Sequence, residues 1–453
     1  MGTAAPVYTP VFEPAECAFN VPAGQNPICG DLLVPENRAN PVRTISLHVA
    51  VFRSRAAPDP NSPPPAPVVY LSGGPGNGGL DLAGYLFQIG LGEVLATRDL
   101  ILFDQRGTGY SQPRLDCPER QNLAAELLAR GLSAPENEAA VAQAFAACRE
   151  RLVGEGIDLS AYSSAASAAD VADLAQALGY PAIDLYAVSY GTRLALTVLR
   201  DRPGLVRRAV LDSTLPPQVN LYSQLAANAE RAFNAFFAEY QDQYPTLRDD
   251  FYALVARLNG NPGVLRVVKN DGRAVEVRVD GGLLIDVLFV GLYNPAVTAR
   301  MPALIYAAAN GDFEPLRGRV ALYFDEGTAL GMQMAVQCNE EIPFVGAGEL
   351  AANAAGVQPQ VAAFYTATMQ ALFAGCAGWL PAAPDPRENQ PVTSDTPVLI
   401  LAGSVDPITP PDWGRLALET LPNGQFFEFA GQDHWVTRSS GEALRMALEF
   451  WGQ

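Results

Sequence analysis

Hydrophobic and polar positions change rhythm twice along the chain. TISLHVAVF, from Thr44 to Phe52, alternates and predicts a strand with one face buried; the following AAPDPNSPPPAP reads as a loop or polyproline connector. Next come PVVYLSGGPG, DLILFDQRGTG, IDLYAVSYG and RRAVLDS, each a short apolar, β-rich run that ends in a polar or glycine-rich turn. Helical patterns separate most of them. This alternation predicts a parallel sheet with crossover helices, in which functional groups collect at the carboxyl ends of the strands. SAADVADLAQALG, from Ser167, predicts an amphipathic helix with a serine N-cap, Asp170 three residues on and Gly179 at its end.

After Pro217 the rhythm stops. LAANAERAFNAFFAEYQDQY and DDFYALVARLNG are helical in pattern, and VLRVVKNDGRAVEVRVDGG predicts a hairpin turning at Asn270, Asp271 and Gly272. The strand and turn pattern resumes at TPVLILAGSVDP, continues through QFFEFAGQDHW and closes on a helix, SGEALRMALEFWG. The expected organisation is one α/β core made from residues 1–215 and 391–453, with a mainly helical cap, residues 216–390, inserted between them.

Composition narrows the function classes. A chain of 453 residues, 49% hydrophobic, can bury a large core. The most apolar run, GLLIDVLFVGLY from Gly282, is short and broken by Asp286, so no membrane span is read. With 48 acidic against 30 basic residues, the net charge of -18 argues against a nucleic-acid partner, which clustered Lys and Arg would hold. Such acidity serves solubility in its simplest reading, and the second reading is a field that favours cationic or amine-bearing substrates. The six cysteines fall in three sequential pairs, Cys17–Cys29, Cys117–Cys148 and Cys338–Cys376. Disulfides between these neighbours are expected over free thiols and imply a location outside the cytoplasm. No metal site is expected, because neither C-x-x-C nor H-x-x-x-H spacing occurs. No export signal is read in the opening MGTAAPVYTP.

The candidate chemistry begins at LYAVSYGTRLAL, where Ser189 stands between a strand pattern and a helix pattern, with Ala187 where a G-x-S-x-G elbow has its first glycine. A serine hydroxyl needs a base, and the base needs an acid to fix its tautomer. The chain has two histidines. His48 lies inside the alternating strand and is expected to be structural, whereas His434 follows a strand near the C-terminus. Asp406, in LILAGSVDP, is the preferred acid and Asp212, in RRAVLDS, its rival. The backbone N–H of Tyr190 supplies one oxyanion donor and the LSGGPGNGG loop the second, since consecutive glycines let N–H groups approach a carbonyl. That loop fits neither phosphate-binding glycine pattern.

SGGPG at Ser72, FDQRGTGYS at Phe103, SYGTRLAL at Ser189, AGSVDPITP at Ala402 and GQDHWV at Gly431 together resemble the proline iminopeptidase and tripeptidyl aminopeptidase group of α/β-hydrolases, serine peptidase family S33. The secreted tripeptidyl aminopeptidase branch is the closer match, with an early C…CG segment like Cys17 to Gly30 and a C-x-acid motif in the cap. The resemblance implies an α/β-hydrolase fold that needs no cofactor. It also implies an enzyme that releases amino acids or short peptides from free N-termini; a carboxylesterase or amidase acting on small esters or amides with the same residues is the alternative. By this resemblance Ser189 is the nucleophile, His434 the general base and acid, Asp406 its orienter, and Gly74 with Tyr190 the oxyanion donors. In QCNEEIPF, Glu340 or Glu341 binds the substrate amine. Two positions depart from the family pattern: Ser72 where proline iminopeptidases carry histidine, and Ala187. Asp104, Arg106 and Trp435 are read as structural or packing residues.

Overall fold

Alternating apolar residues in a strand can be buried on both faces only if helices cover both sides of the sheet, and here they do. The computed structural model describes residues 8–57, 64–269, 271–346, 348–379 and 384–452. Residues 1–7 of the opening segment, 58–63 of the proline-rich connector and Asn270 of the expected hairpin turn lie outside the described residues.

The strands are β1 (Val11–Pro14), β2 (Ile28–Pro35), β3 (Thr44–Phe52), β4 (Val68–Leu71), β5 (Leu100–Phe103), β6 (Ile183–Val188), β7 (Val206–Asp212), β8 (Gly263–Val268), β9 (Ala274–Val279), β10 (Val398–Gly403) and β11 (Gly424–Phe429). Nine of them form one sheet in the order β1-β2-β3-β5-β4-β6-β7-β10-β11. The first three run antiparallel, β3 meets β5 antiparallel, and the strands from β5 to β11 are parallel to one another. β8 and β9 make the separate hairpin. Asp271 and Gly272 fall in its turn, where the Gly272 N–H donates to the Lys269 carbonyl at 2.9 Å.

Along β4, β6 and β7, residues Val69, Leu71, Leu185, Ala187 and Leu211 cluster with the helices Ser164–Ala177 and Tyr190–Asp201. The intervening Val68, Tyr70, Tyr186, Val188 and Val210 cluster with Leu86, Leu91 and the C-terminal helix Gly441–Gly452. The period of two is kept while both faces go dry, as buried parallel strands require. The strand TISLHVAVF therefore departs from expectation: β3 pairs with β2 and β5 and is buried from His48 through Phe52 on both faces. The helix expected from Ser167 begins a turn earlier, at Ser164. Ser163 is its N-cap and accepts the Ala166 N–H, while Asp170 is drawn inward to pair with Arg106.

Between β7 and β10 the chain forms helices, chiefly Leu221–Glu239, Leu247–Gly260, Gly281–Gly291, Leu330–Glu340 and Pro359–Cys376, around the β8–β9 hairpin. Their apolar faces share a cluster of their own that includes Phe233, Phe251, Leu284 and Tyr365. The helices Pro118–Arg130 and Ala134–Gly154, earlier in sequence, pack onto this layer against β9 and Pro359–Cys376. Cys117–Cys148 and Cys338–Cys376 are disulfides within this second layer, and Cys17–Cys29 ties β2 to the segment before it. Each constrains the unfolded chain by about 2–4 kcal/mol, more for longer loops.

Candidate active site

The site begins at the end of β6, where a tight turn presents Ser189. Its backbone, at φ 57 and ψ -127, is one that side chains rarely adopt, and it leads directly into the helix Tyr190–Asp201. The surroundings hold the turn. The Ser189 N–H donates to the Asp212 carbonyl at 3.0 Å, and the Thr192 hydroxyl donates to the Ser189 carbonyl at 2.6 Å. Gly191 is required by contact: a Cβ there would lie 2.2 Å from the Leu71 carbonyl oxygen. Ala187 is fully buried, paired with Leu71 on one side and Leu211 on the other. The strict steric demand thus falls on the helix side of the serine, and a methyl group is accommodated on the strand side.

The glycine loop after β4 closes over this elbow. A Cβ on Gly73 would meet the Ser189 Cβ at 3.0 Å. Gly74, at φ +121, could carry no side chain without approaching the Gly76 and Asn77 nitrogens to under 3.0 Å. Asp104 fixes the loop by accepting the N–H groups of Gly79 at 2.6 Å, Leu80 at 3.0 Å and Tyr110 at 2.7 Å. Burial nonetheless raises its carboxyl above the ordinary range. Arg106, also fully buried, joins Asp170 to the carbonyls of Glu36 and Ala161. Both residues hold backbone.

Asp406 and His434 are brought together at the ends of β10 and β11. The His434 Nδ1 lies 2.9 Å from Asp406 Oδ2. The same oxygen accepts the Thr409 hydroxyl at 2.7 Å, while Oδ1 accepts the N–H groups of Ile408 and Thr409, both at 2.9 Å. Burial would raise this carboxyl, but the facing His434 charge and these hydrogen bonds outweigh it and hold the group below its ordinary range. Gly403 lets the histidine loop approach, because a Cβ there would lie 2.3 Å from the Asp433 carbonyl. Asp433 itself is buried, and burial pushes its carboxyl up to about 7, with Arg438 opposing and Asp406 adding.

Asp212, the rival acid, binds backbone instead. Its Oδ1 accepts the Val436 N–H and its Oδ2 the Thr437 N–H, each at 2.8 Å, and Ser213 Oγ accepts the Trp435 N–H at 2.8 Å. It thereby pins the segment after His434 to β7, beside the serine turn. Trp435 sends its indole N–H to the Tyr186 hydroxyl at 2.8 Å, into the core. His48 is a structural residue of β3, with Nδ1 2.8 Å from Asp31 and Nε2 accepting the Ala18 N–H at 3.2 Å.

The cap acids sit differently from expectation. Glu340 is buried with both oxygens taken by Ser164, from its N–H at 2.5 Å and its hydroxyl at 2.6 Å, and with Arg193 Nε at 3.4 Å. Burial, reinforced by Glu388, pushes it up to about 7 against Arg193 and Ser164. Glu340 is thus held inside the protein by Ser164 and Arg193. Glu341 is equally buried. One oxygen accepts the Leu221 N–H at 3.3 Å, the other has no partner, and burial raises the carboxyl. Neither residue lines the two large cavities of the cap, of about 620 and 420 Å³.

Two residues enter that the sequence reading passed over. Thr409 braces the Asp406 carboxylate, and its signal, a hydroxyl three residues after an aspartate at a strand end, was present in DPIT. Tyr293, from the cap, sets its ring 5.2 Å from that of His434. Nothing in local sequence announces it.

A serine in a strained strand–helix turn, followed in the chain by an aspartate and a histidine at later strand ends of a mostly parallel sheet, is the arrangement of the α/β-hydrolase fold, and this chain has that fold. A family model described as alpha/beta hydrolase fold matches residues 66–262, and one described as TAP-like protein matches residues 361–449. Serine protease Hip1 of Mycobacterium tuberculosis is 28% identical over 230 residues, 48% of this chain and 42% of the relative. Tripeptidyl aminopeptidase of Streptomyces lividans is 27% identical over 239 residues, 50% of this chain and 43% of the relative. The matched region thus spans less than half the length of either relative. A solved esterase of Exiguobacterium antarcticum aligns over 91% of this chain and 97% of its own, with 14% identity and a TM-score of 0.42.

Proposed function

We propose that the protein is a serine peptidase of the aminopeptidase type, releasing amino acids or short peptides from free N-termini through an acyl-enzyme on Ser189. The observation that carries the reading is the His434–Asp406 pair presented to the same end of the sheet as the Ser189 turn. The two curated relatives, a serine protease and a tripeptidyl aminopeptidase, support the choice of peptide over other acyl substrates.

In this mechanism His434 takes the Ser189 proton on Nε2 as Oγ attacks the scissile carbonyl. Asp406 keeps the other ring proton on Nδ1 and stabilises the imidazolium. The developing oxyanion is received by the N–H groups of Tyr190 and Gly74, whose backbone is fixed before substrate arrives. His434 then hands its proton to the leaving amine, and water repeats the sequence to free the acyl group. The three disulfides support a location in an oxidising, extracytoplasmic compartment.

A fluorophosphonate should label Ser189, as read by mass spectrometry. A panel of aminoacyl and tripeptidyl p-nitroanilides should be cleaved when the N-terminus is free and poorly when it is acetylated. Equal turnover of both forms would remove the aminopeptidase reading. Rapid p-nitrophenyl ester hydrolysis with no anilide cleavage would make the enzyme a carboxylesterase.

A further inference from the structure

The helix that follows the nucleophile, Tyr190–Asp201, carries Tyr190 and Arg193 three residues apart and so on one face, and both are fully buried. A buried phenol needs a hydrogen-bond partner. Among the described residues the Tyr190 hydroxyl has one, Ser164 Oγ at 2.8 Å. Ser164 is the first residue of its own helix and is fully buried as well. Its hydroxyl donates to Glu340 Oε2 at 2.6 Å, and its N–H donates to Glu340 Oε1 at 2.5 Å. A serine hydroxyl has a single proton, so with Glu340 ionised the chain runs one way: Tyr190 donates to Ser164, and Ser164 donates to Glu340.

Arg193 closes the chain back onto the same helix. Its Nε lies 3.4 Å from Glu340 Oε2, and its Nη2 donates to the carbonyls of Glu340 at 3.0 Å and Glu388 at 2.6 Å. Glu340, the last residue of the cap helix Leu330–Glu340, is thereby fixed to the element it braces. Keeping it there is costly, because burial and then the neighbouring Glu388 oppose its charge. A contact that served only to join two elements could be made as well by apolar side chains. What the chain holds is the residue beside the nucleophile. Tyr190 opens its helix, so its N–H has no acceptor within that helix, and the Ser189 turn before it is a strained one at φ 57. An N–H that receives an oxyanion is effective only if it is fixed before the charge develops. The phenol is the handle by which this residue is fixed: its ring packs in the cluster of Leu115 and Met332, and its hydroxyl is tied to Ser164.

We propose that Glu340, acting through Ser164, is a positioning residue for Tyr190: it holds the phenol so that the Tyr190 N–H stays aimed at the developing oxyanion. The proposal rests on the acyl-enzyme reading of Ser189 above, and it applies to a peptide and an ester substrate alike.

The test uses the whole protein and compares Tyr190→Phe, Ser164→Ala and Glu340→Gln with the unaltered enzyme on p-nitrophenyl acetate and a tripeptidyl p-nitroanilide. In each variant kcat should fall about tenfold with KM unchanged, a smaller loss than the roughly 10²–10³ of removing an oxyanion donor outright. Phenylboronic acid, whose adduct with Ser189 places an oxygen where the oxyanion forms, should bind more weakly by the same factor. The double variant Tyr190→Phe/Glu340→Gln should be no slower than the slower single one, because both residues act through one chain. Losses that multiply in the double variant overturn the proposal. So does boronate affinity that stays level while kcat falls, or an effect confined to KM.

If Glu340→Gln does not fold, Tyr190→Phe and Ser164→Ala, which each remove a single oxygen, carry the same comparison with their own double variant. If the anilide is not cleaved, the peptidase reading fails and the ester decides the positioning role. An unaltered enzyme that turns over neither substrate and is not labelled at Ser189 by a fluorophosphonate would sink the acyl-enzyme reading and the proposal with it. Turnover that none of the three variants changes would sink the proposal alone.

Discussion

The sheet and the cap both bury carboxylates, and they treat them in opposite ways. In the core, Asp406 is surrounded by two N–H donors, a hydroxyl and an imidazole, and is held below the ordinary carboxylate range although it is fully buried. In the cap, Asp286 and Glu341 each have a single protein donor, and burial dominates and raises both. The difference follows from the backbone. Strand ends and tight turns supply preorganised N–H groups that fix charge in one place, whereas the middle of a helix has none to spare. The core can therefore hold a fixed reaction geometry, while the cap carboxylates Asp286 and Glu341 are left with fewer protein donors.

The contrast is most directly broken at Asp406. Asp406→Asn should lower kcat about 10⁴-fold, the scale found when the orienting acid of a serine triad is neutralised. Asp212→Asn should instead lower thermal stability with a smaller loss of activity, since Asp212 binds the backbone after His434; steady-state kinetics beside a melting curve separate the two. Equal losses of kcat would erase the distinction between orienter and anchor.

Next in size are the elbow neighbours. Gly191→Ala drives a Cβ into the Leu71 carbonyl, which is backbone and cannot step aside, so little folded, active enzyme is expected. Ala187→Gly should retain activity, while Ala187→Val should cost about 1–3 kcal/mol by overpacking between two strands, read from denaturant unfolding. A fully stable valine variant would show that the strand side has more room than the contacts suggest.

Removing the cap disulfide with Cys338→Ala and Cys376→Ala should lower stability by about 2–4 kcal/mol. Because that bond lies in the cap, KM for tripeptidyl substrates should rise while the kcat for a small ester holds, as kinetics on both substrate types will show.

The smallest effect concerns pH. The Glu340 carboxyl is raised to about 7 in the folded protein, so its contribution is fully present below the unfolded carboxylate range and is lost as pH rises through about 7. Glu340→Gln should flatten the fall in melting temperature between about pH 5 and pH 8. An unchanged slope would mean that another buried cap carboxyl, such as that of Glu341, carries the titration.

The core was legible because its signals are local. Short apolar runs ending in GGPG, DQRG, SYG and LDS predict parallel strands with functional turns, and β4, β5, β6 and β7 are those runs. Ser189, Asp406 and His434 each sit at a strand end and could be picked out on that ground. The cap was harder to read. QCNEE marked a segment where acids matter, yet the helix Leu330–Glu340 turns Glu340 inward to Ser164 and Arg193, residues more than a hundred positions away. Asp286 stood out only as an interruption in an apolar run; that it faces a cavity depends on packing against Tyr323 and Phe364.

By itself the sequence determined which residues could do chemistry and the order of the strands that carry them, because the period of apolar residues and the turn residues that follow are properties of neighbouring positions. Tertiary structure alone decided which acid meets His434, which glycine the elbow cannot lose, and that Glu340 turns inward to Ser164 and Arg193. Each of those is a contact between segments far apart in the chain, and only the folded backbone brings a donor, a carbonyl oxygen or a carboxylate to within bonding distance.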